Sequence, residues 1–253
     1  QDITNPLNHD LSELLQRRCE YFNELAVNNP AFKDNNGVLN SPIFWASVSN
    51  SMPATFWLLF YVLQKENLIN QLRDEIMNII PNYERFYDSS FLLDDSKVKE
   101  EIITIEQLNN LILIDACLTE TLRLKSGSFI VRTVTKDNVE VQLHSGNKYK
   151  FRKGDQLALF PSIFHYDEEI YPNPNEFNPF RFVLSNDSPL EDRRNAALGK
   201  THLTKDGLEL NPSSVFLPFG AGVTYCPGRR FIRSEVKLLF IFLILNLDFN
   251  LKG

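Results

Sequence analysis

Cysteine is scarce. The 253 residues hold three, Cys19, Cys117 and Cys226, far apart and with no Cys-x-x-Cys pair. That argues against a disulfide framework and against a multi-thiolate zinc cluster, and it suits a reducing compartment in which one thiol has a special task. Positive charge is also short: 26 Lys and Arg stand against 32 Asp and Glu, a net charge of −6. Without a basic face to meet phosphates, a nucleic-acid partner is not expected, although apolar contact with a membrane is left open. No apolar run is long. Leu238 to Leu245 runs eight residues and none is longer, where about 20 are needed to span a bilayer. There is no internal repeat, low-complexity tract, signal peptide or transit segment. The chain opens at Gln1 without a Met and stops at Leu251-Lys252-Gly253, which reads as a fragment.

What the chain has is bulk and aromaticity. It is 43% hydrophobic, with 20 Phe and eight Tyr, enough for one large domain or two small ones and suited to a core around a large planar group. Asp10-Leu11-Ser12-Glu13 has capping-box spacing and starts a helix to about Val27. Asp34-Asn35-Asn36-Gly37 is a polar break. Ser41-Pro42 reads as an N-cap and first helical residue, opening an apolar helix to about Lys65 that Pro53 interrupts. Further helices are predicted over Asn67–Ile80 and Leu111–Leu124, with a charged, irregular stretch from Tyr83 to Glu101 between them. Short strands are predicted at Phe129–Val131, Val139–Leu143, Tyr149–Phe151 and Gln156–Phe160, a turn at 144–148 joining the second to the third. A Pro- and Asn-rich loop, Tyr166–Phe182, leads into a polar excursion, Leu184–Ser214, and a final helix, about Pro227–Leu247. The class is mainly α with a small β part.

The sharpest segment is Phe219-Gly220-Ala221-Gly222-Val223-Thr224-Tyr225-Cys226-Pro227-Gly228. A sulfur that must stay anionic wants N–H donors and positive potential. With Pro227 as the first residue of the last helix, Cys226 would be its N-cap, and the dipole would face the sulfur. Gly220, Gly222 and Gly228 remove side chains where backbone must lie flat against a ring system. Phe219 can keep water off the sulfur. A lone cysteine in a glycine-containing turn is ordinarily a buried structural residue; the spaced pattern Phe-x-x-Gly-x-x-x-Cys-x-Gly before a helix is a specific signal. It resembles the heme-binding signature of the cytochrome P450 superfamily. One position departs: the family usually places His or Arg two residues before the cysteine, to meet a heme propionate, and Thr224 stands there.

Other features acquire meaning beside that resemblance. Glu120 and Arg123 lie at i and i+3 on one helix face, a spacing common in solvated surface pairs. With Arg181 in Phe177-Asn178-Pro179-Phe180-Arg181-Phe182, they resemble the superfamily's structural Glu/Arg/Arg triad. Arg132 is either a strand-surface arginine or the family's propionate contact. Arg229 and Arg230 suit a solvated helix start or a reductase-facing surface. His144 and His165 have no partner pattern and read as loop histidines. The helix through Pro53 matches the long helix on the oxygen side of the heme. Its catalytic candidates are Asn50 and Ser51, where most members carry an acid and a threonine; serines bonded back to the preceding turn beside a Pro kink are the plainer alternative. Trp45-Ala46-Ser47, Thr224 and Ser126-Gly127-Ser128 resemble the branch of sterol and oxysterol 7α-hydroxylases and prostacyclin synthase.

The resemblance implies the C-terminal portion of a cytochrome P450 fold, a single partial domain over 1–253. Within it would lie the distal helix (about 41–65), the Glu/Arg helix (111–124), a small sheet (128–160), the meander and cysteine loop (166–228) and the last helix (227–247). It further implies heme b ligated by Cys226, electrons from NADPH through a cytochrome P450 reductase, and hydroxylation of a sterol or other lipophilic substrate with dioxygen. It places the protein on the cytosolic face of the endoplasmic reticulum membrane, held through an N-terminal half absent from this chain. Alternatives are an isomerase of the prostacyclin-synthase type, which needs no reductase, and an inactive truncated fragment that binds no heme.

Overall fold

A computed structural model of the chain describes residues 13–32, 36–84, 103–127, 129–143, 145–201 and 203–249. Asp10–Ser12 of the expected capping box, Asp34–Asn35 of the polar break, residues 85–101 of the charged stretch, Ser128, His144 and the 251–253 end lie outside these. The contacts divide into two units, Gln1–Pro53 and Ala54–Gly253.

In the first unit, α1 (Glu13–Asn28) is followed by a single 3-10 turn at Pro30–Phe32. Phe22 stacks on Phe32 at 6.2 Å, and Arg18 donates to the Asn40 side chain at 2.8 Å. The next helix, α2, runs Asn36–Leu63 and crosses into the second unit. It begins five residues before the predicted Ser41 cap, so Asn36 and Gly37 are helical and Pro42 is interior. The local chemistry explains how that proline is tolerated. Pro42 cannot donate to the Val38 carbonyl, and the Ser41 hydroxyl does so instead, at 2.8 Å.

The second unit centres on α5 (Ile112–Lys125), buried on nearly every side. Its neighbours are α3 (Leu68–Ile79), the end of α2 and α9 (Arg229–Asn246), which share a core of Leu58, Leu72, Ile76, Leu118, Phe240 and Ile244. Leu68, Leu72 and Ile76 recur at helical spacing, so α3 buries one stripe. Its other contribution is polar: Glu75 accepts the backbone N–H groups of Leu113 and Ile114 at 2.7 and 3.1 Å, capping α5 from a neighbouring helix. Burial pushes that carboxyl up to about 7. A short α4 (Ile105–Asn110), absent from the predicted elements, is started by a capping box in which Thr104 and Gln107 bond reciprocally.

The β part is not one sheet. β1 (Ile130–Thr133) pairs antiparallel with β4 (Gln156–Leu159), and β2 (Val139–Gln142) with β3 (Lys148–Phe151), as separate two-stranded units. The polar excursion is also more ordered than its composition suggested. It holds α7 (Leu190–Ala197), a hairpin of β5 (Leu203–Lys205) and β6 (Leu208–Leu210), and α8 (Pro212–Val215). Asp206 and Gly207, at φ 52° and 72°, form the hairpin turn, an Asp-Gly signal legible in the sequence.

Gly199 is fixed by a close approach as well as by backbone. At φ +77°, a Cβ there would lie 2.6 Å from Phe216 Cε1 and 3.2 Å from Thr119 Cγ2. Gly199→Ala is expected to destabilise the protein by about 1–3 kcal/mol, read as a lower urea midpoint with an unchanged denaturant slope.

Candidate functional site

Both oxygens of Glu120 are occupied inside the protein. Glu120 and Arg123 are each 0% exposed, and Arg123 donates to the carboxylate through Nε at 2.7 Å and Nη2 at 2.8 Å. Arg181, in the 3-10 turn Pro179–Phe182, donates to Glu120 Oε1 at 3.1 Å, and the Asn178 backbone N–H does so at 3.0 Å. The remaining guanidinium hydrogens go to the meander. Arg123 donates to the carbonyls of His165 and Glu176, and Arg181 to those of Pro172 and Asn173. Tyr171 lies 5.1 Å from the Arg123 guanidinium, ring face toward it. Two planar cations thus share one carboxylate and together hold residues 165–181, which a lysine's point charge would not do.

On α5 a second charged cluster, which sequence reasoning missed, ties down α9. Asp115 accepts from Lys237 at 2.7 Å and from Arg233 at 3.4 Å. Lys237, 3% exposed, also donates to the Leu108 carbonyl at 2.7 Å. Arg233 donates to Thr119 Oγ1 at 3.1 Å, and its guanidinium lies 5.8 Å from the Phe219 ring centre. The available signal was Arg233 and Lys237 at i and i+4 in an apolar helix; their partner is more than a hundred residues upstream.

The cysteine loop lies between these attachments. The Cys226 N–H donates to the Phe219 carbonyl at 2.9 Å, closing the loop. Gly220 and Gly222 take φ of 79° and 63°, which suits residues without Cβ. Gly228 is in ordinary backbone conformation, φ −80°, and a Cβ there would sit 3.9 Å from the Cys226 sulfur, so the chain itself imposes no strict demand at that position. Helix α9 starts at Arg229 with Gly228 as its N-cap. Cys226 therefore lies two residues upstream of the cap rather than at it, because Pro227 and Gly228 form a turn before the helix begins. Its thiol is free and partly accessible. The Cys226 carbonyl accepts from Arg229 Nη1 at 3.1 Å, and the Arg229 guanidinium lies over Tyr225.

Arg132, on β1, reaches this loop. Its Nη2 donates to the Ala221 carbonyl and to Thr224 Oγ1, both at 2.7 Å, and Nη1 donates to the Val131 carbonyl. No carboxylate pairs with it among the described residues. Arg132 and Thr224, far apart in sequence, thus form one cationic, hydroxyl-bearing corner beside the cysteine. In the first unit, Asn50 Nδ2 donates to the Ala46 carbonyl at 3.3 Å and Ser51 Oγ to the Ser47 carbonyl. Both are bonded back into their own helix, and Ser51 is 2% exposed. His165 is no loop histidine: it ends α6 (Ser162–His165) and is 0% exposed.

The profile of the cytochrome P450 family matches residues 13–253. The chain belongs to the cytochrome P450 family. Among curated proteins, this P450 chain is 36% identical over 210 residues to the 25-hydroxycholesterol 7-alpha-hydroxylase of Rattus norvegicus, covering 81% of the chain and 44% of that protein. It is 32% identical over 209 residues to cytochrome P450 7A1 of Sus scrofa, covering 83% and 38%. With the 5-beta-cholestane-3-alpha,7-alpha-diol 12-alpha-hydroxylase of Sus scrofa it shares 28% identity over 244 residues, covering 96% and 43%. The P450 chain is thus related to the sterol 7α-hydroxylases and spans less than half the length of these relatives. A crystal structure of a cytochrome P450 (CYP102L1) matches with a TM-score of 0.58 at 20% identity, covering 84% of this chain and 40% of that one. The fold is accordingly that of a P450, mostly helical with a minor β part.

Removing the Glu120 carboxylate leaves two guanidiniums buried without their counter-charge, which costs roughly 3–5 kcal/mol. Glu120→Ala is expected to lose that much stability in denaturant titrations. Arg123→Lys, which keeps the charge and loses the fork, should be destabilised in the same direction.

Proposed function

We propose that the protein carrying this chain is a heme-thiolate monooxygenase that hydroxylates a sterol or other lipophilic substrate, with Cys226 as the residue that would hold the iron. The observation that carries this reading is a free, partly accessible thiol on a glycine loop, bonded by an arginine with no carboxylate partner among the described residues and braced by buried ion clusters on either side.

The residues present fit a heme. Among the described residues no group of three or more His, Cys, Asp or Glu is placed to hold a metal. Arg132 and Thr224 fit an anionic substituent of that group, the guanidinium supplying charge where the family's usual His or Arg is replaced by the hydroxyl. Gly220 and Gly222 keep side chains off the loop surface, and Phe219, whose ring the Arg233 guanidinium approaches, would limit water at the sulfur. When bound, heme supplies dioxygen activation, and a thiolate ligand favours O–O cleavage.

What the chain's own residues contribute is holding and protons. In this reading proton delivery falls to bound water and to the Ser51 hydroxyl, which would have to leave the Ser47 carbonyl it bonds, since the Asn50 amide cannot relay a proton as a carboxylic acid does. Electrons come from NADPH through a cytochrome P450 reductase in this reading. A site at the endoplasmic reticulum membrane is part of it, although among the described residues no helix is long and apolar enough to cross a membrane. The missing acid at Asn50 also suits an isomerase, which would form product without NADPH.

Full-length protein treated with dithionite and carbon monoxide should give the strongly red-shifted band of a thiolate-ligated heme. Cys226→Ser should abolish that band; an unchanged spectrum rejects Cys226 as the ligand. Arg132→Ala should weaken heme retention about tenfold or more, from the loss of charge-assisted hydrogen bonds, measured as heme transfer to an acceptor protein. Product formation that persists without NADPH would select the isomerase, and absence of any heme the inactive fragment.

A further inference from the structure

We propose that His165 is a positioning residue for the cysteine loop, joining the buried Glu120–Arg123–Arg181 cluster to the strap of chain that leads into Cys226. Its consequence for iron ligation rests on the reading of Cys226 above; the coupling itself does not.

His165 is held at both ends. Its backbone carbonyl accepts from Arg123, so it is part of the meander that the charged cluster clamps. Its imidazole points the other way: Nε2 accepts the backbone N–H of Leu217 at 3.1 Å. From there a string of backbone bonds leads to the cysteine. The Leu217 carbonyl accepts from Gly220 N–H at 3.1 Å, and the Phe219 carbonyl accepts from Cys226 N–H at 2.9 Å. The ring also lies 5.6 Å from that of Phe216, the residue for which Gly199 leaves room. Leu217 is 4% exposed, so water does not readily replace the imidazole, and an unmet N–H there would carry its full desolvation penalty.

The bond dictates the tautomer. An accepting Nε2 carries no proton, so the neutral ring has its hydrogen on Nδ1. Nδ1 has no hydrogen-bond partner among the described residues. Protonating the ring would turn Nε2 into a donor facing the Leu217 donor, and the strap would lose its anchor. Burial, aided by the Arg123 charge, lowers the His165 pKa to about 4. Among the described residues, Glu120 and Arg181 are paired within the cluster, the phenols of Tyr166 and Tyr171 lie by Arg123, and Asp167, two residues on, is paired with Lys205. Because the folded pKa lies below the unfolded one, the unfolded chain gains a proton first as pH falls. His165 therefore contributes to stability above the ordinary histidine range, and that contribution is lost as pH drops from about 6.5 to about 4.

The test uses full-length protein with two variants. His165→Phe keeps the ring and removes the acceptor; His165→Gln replaces Nε2 with an amide oxygen that can accept. Hydrogen exchange of the Leu217 amide reads the coupling whether or not heme is bound, and the carbon-monoxide spectrum reads its effect on the sulfur. His165→Phe should lower Leu217 protection roughly tenfold or more and increase the fraction of non-thiolate heme. His165→Gln should retain most of both. Wild-type protein should lose Leu217 protection on acidification toward pH 4, a step that His165→Gln lacks. Should His165→Phe fail to fold, the acid step in wild type against His165→Gln decides. Unchanged protection in His165→Phe, or the same acid step in His165→Gln, overturns the proposal. Loss of Leu217 protection in His165→Phe with no thiolate band in any form leaves the coupling standing and rejects the Cys226 ligand instead.

Discussion

A single carboxylate buried away from water, with two guanidiniums arranged around it, is the interaction on which the second unit depends. Ionised Glu120 at 0% exposure would be strongly unfavourable alone. It is sustained because Arg123 presents two parallel N–H groups, Arg181 a third and the Asn178 backbone a fourth. Each arginine then spends its remaining hydrogens on backbone carbonyls of the meander. A segment with little regular structure and many polar backbone groups, 165–181, is thereby given fixed acceptor positions. Apolar residues of the same volume could fill that space, but they could not satisfy those carbonyls.

Helix α5 carries this cluster near its C-terminal end and another nearer its start. Asp115 takes Lys237 and Arg233 from α9, so the helix that follows the cysteine is referenced to the same rod as the meander that precedes it. The loop closure between Phe219 and Cys226 lies between these attachments. The segments on either side of Cys226 are thus attached through burial and charge pairing at residues outside the loop. The Arg132–Thr224 pair adds a third tether, from β1, and brings to the cysteine loop a cation that no carboxylate pairs among the described residues.

Much of this was legible in the sequence. The Phe219–Gly228 spacing pointed to the cysteine loop, and apolar periodicity located α3, α5 and α9 within two residues. Where boundaries failed, local chemistry was the cause. Ser41-Pro42 looked like a helix start because its hydroxyl and missing N–H suit one; in the fold the same hydroxyl fills the place of Pro42's missing donor inside a longer helix. Cys226 looked like an N-cap because Pro227 favours a first turn, yet the helix waits for Arg229. The β5–β6 hairpin was overlooked although Asp206-Gly207 announced it, since its strands are short and lie in a polar stretch.

By itself the sequence determined the family, the mainly helical class and the candidate ligand, because each is written in residues close together along the chain: a spaced glycine loop, a helical period, a Glu and an Arg one turn apart. Only the tertiary structure decided which distant charges meet. Asp115 with Arg233 and Lys237, Arg132 with Thr224, and His165 with the Leu217 peptide are pairings across dozens of residues or more, and no local period encodes them. They form because a buried donor or acceptor must find its partner wherever packing brings one, and packing is a property of the folded whole.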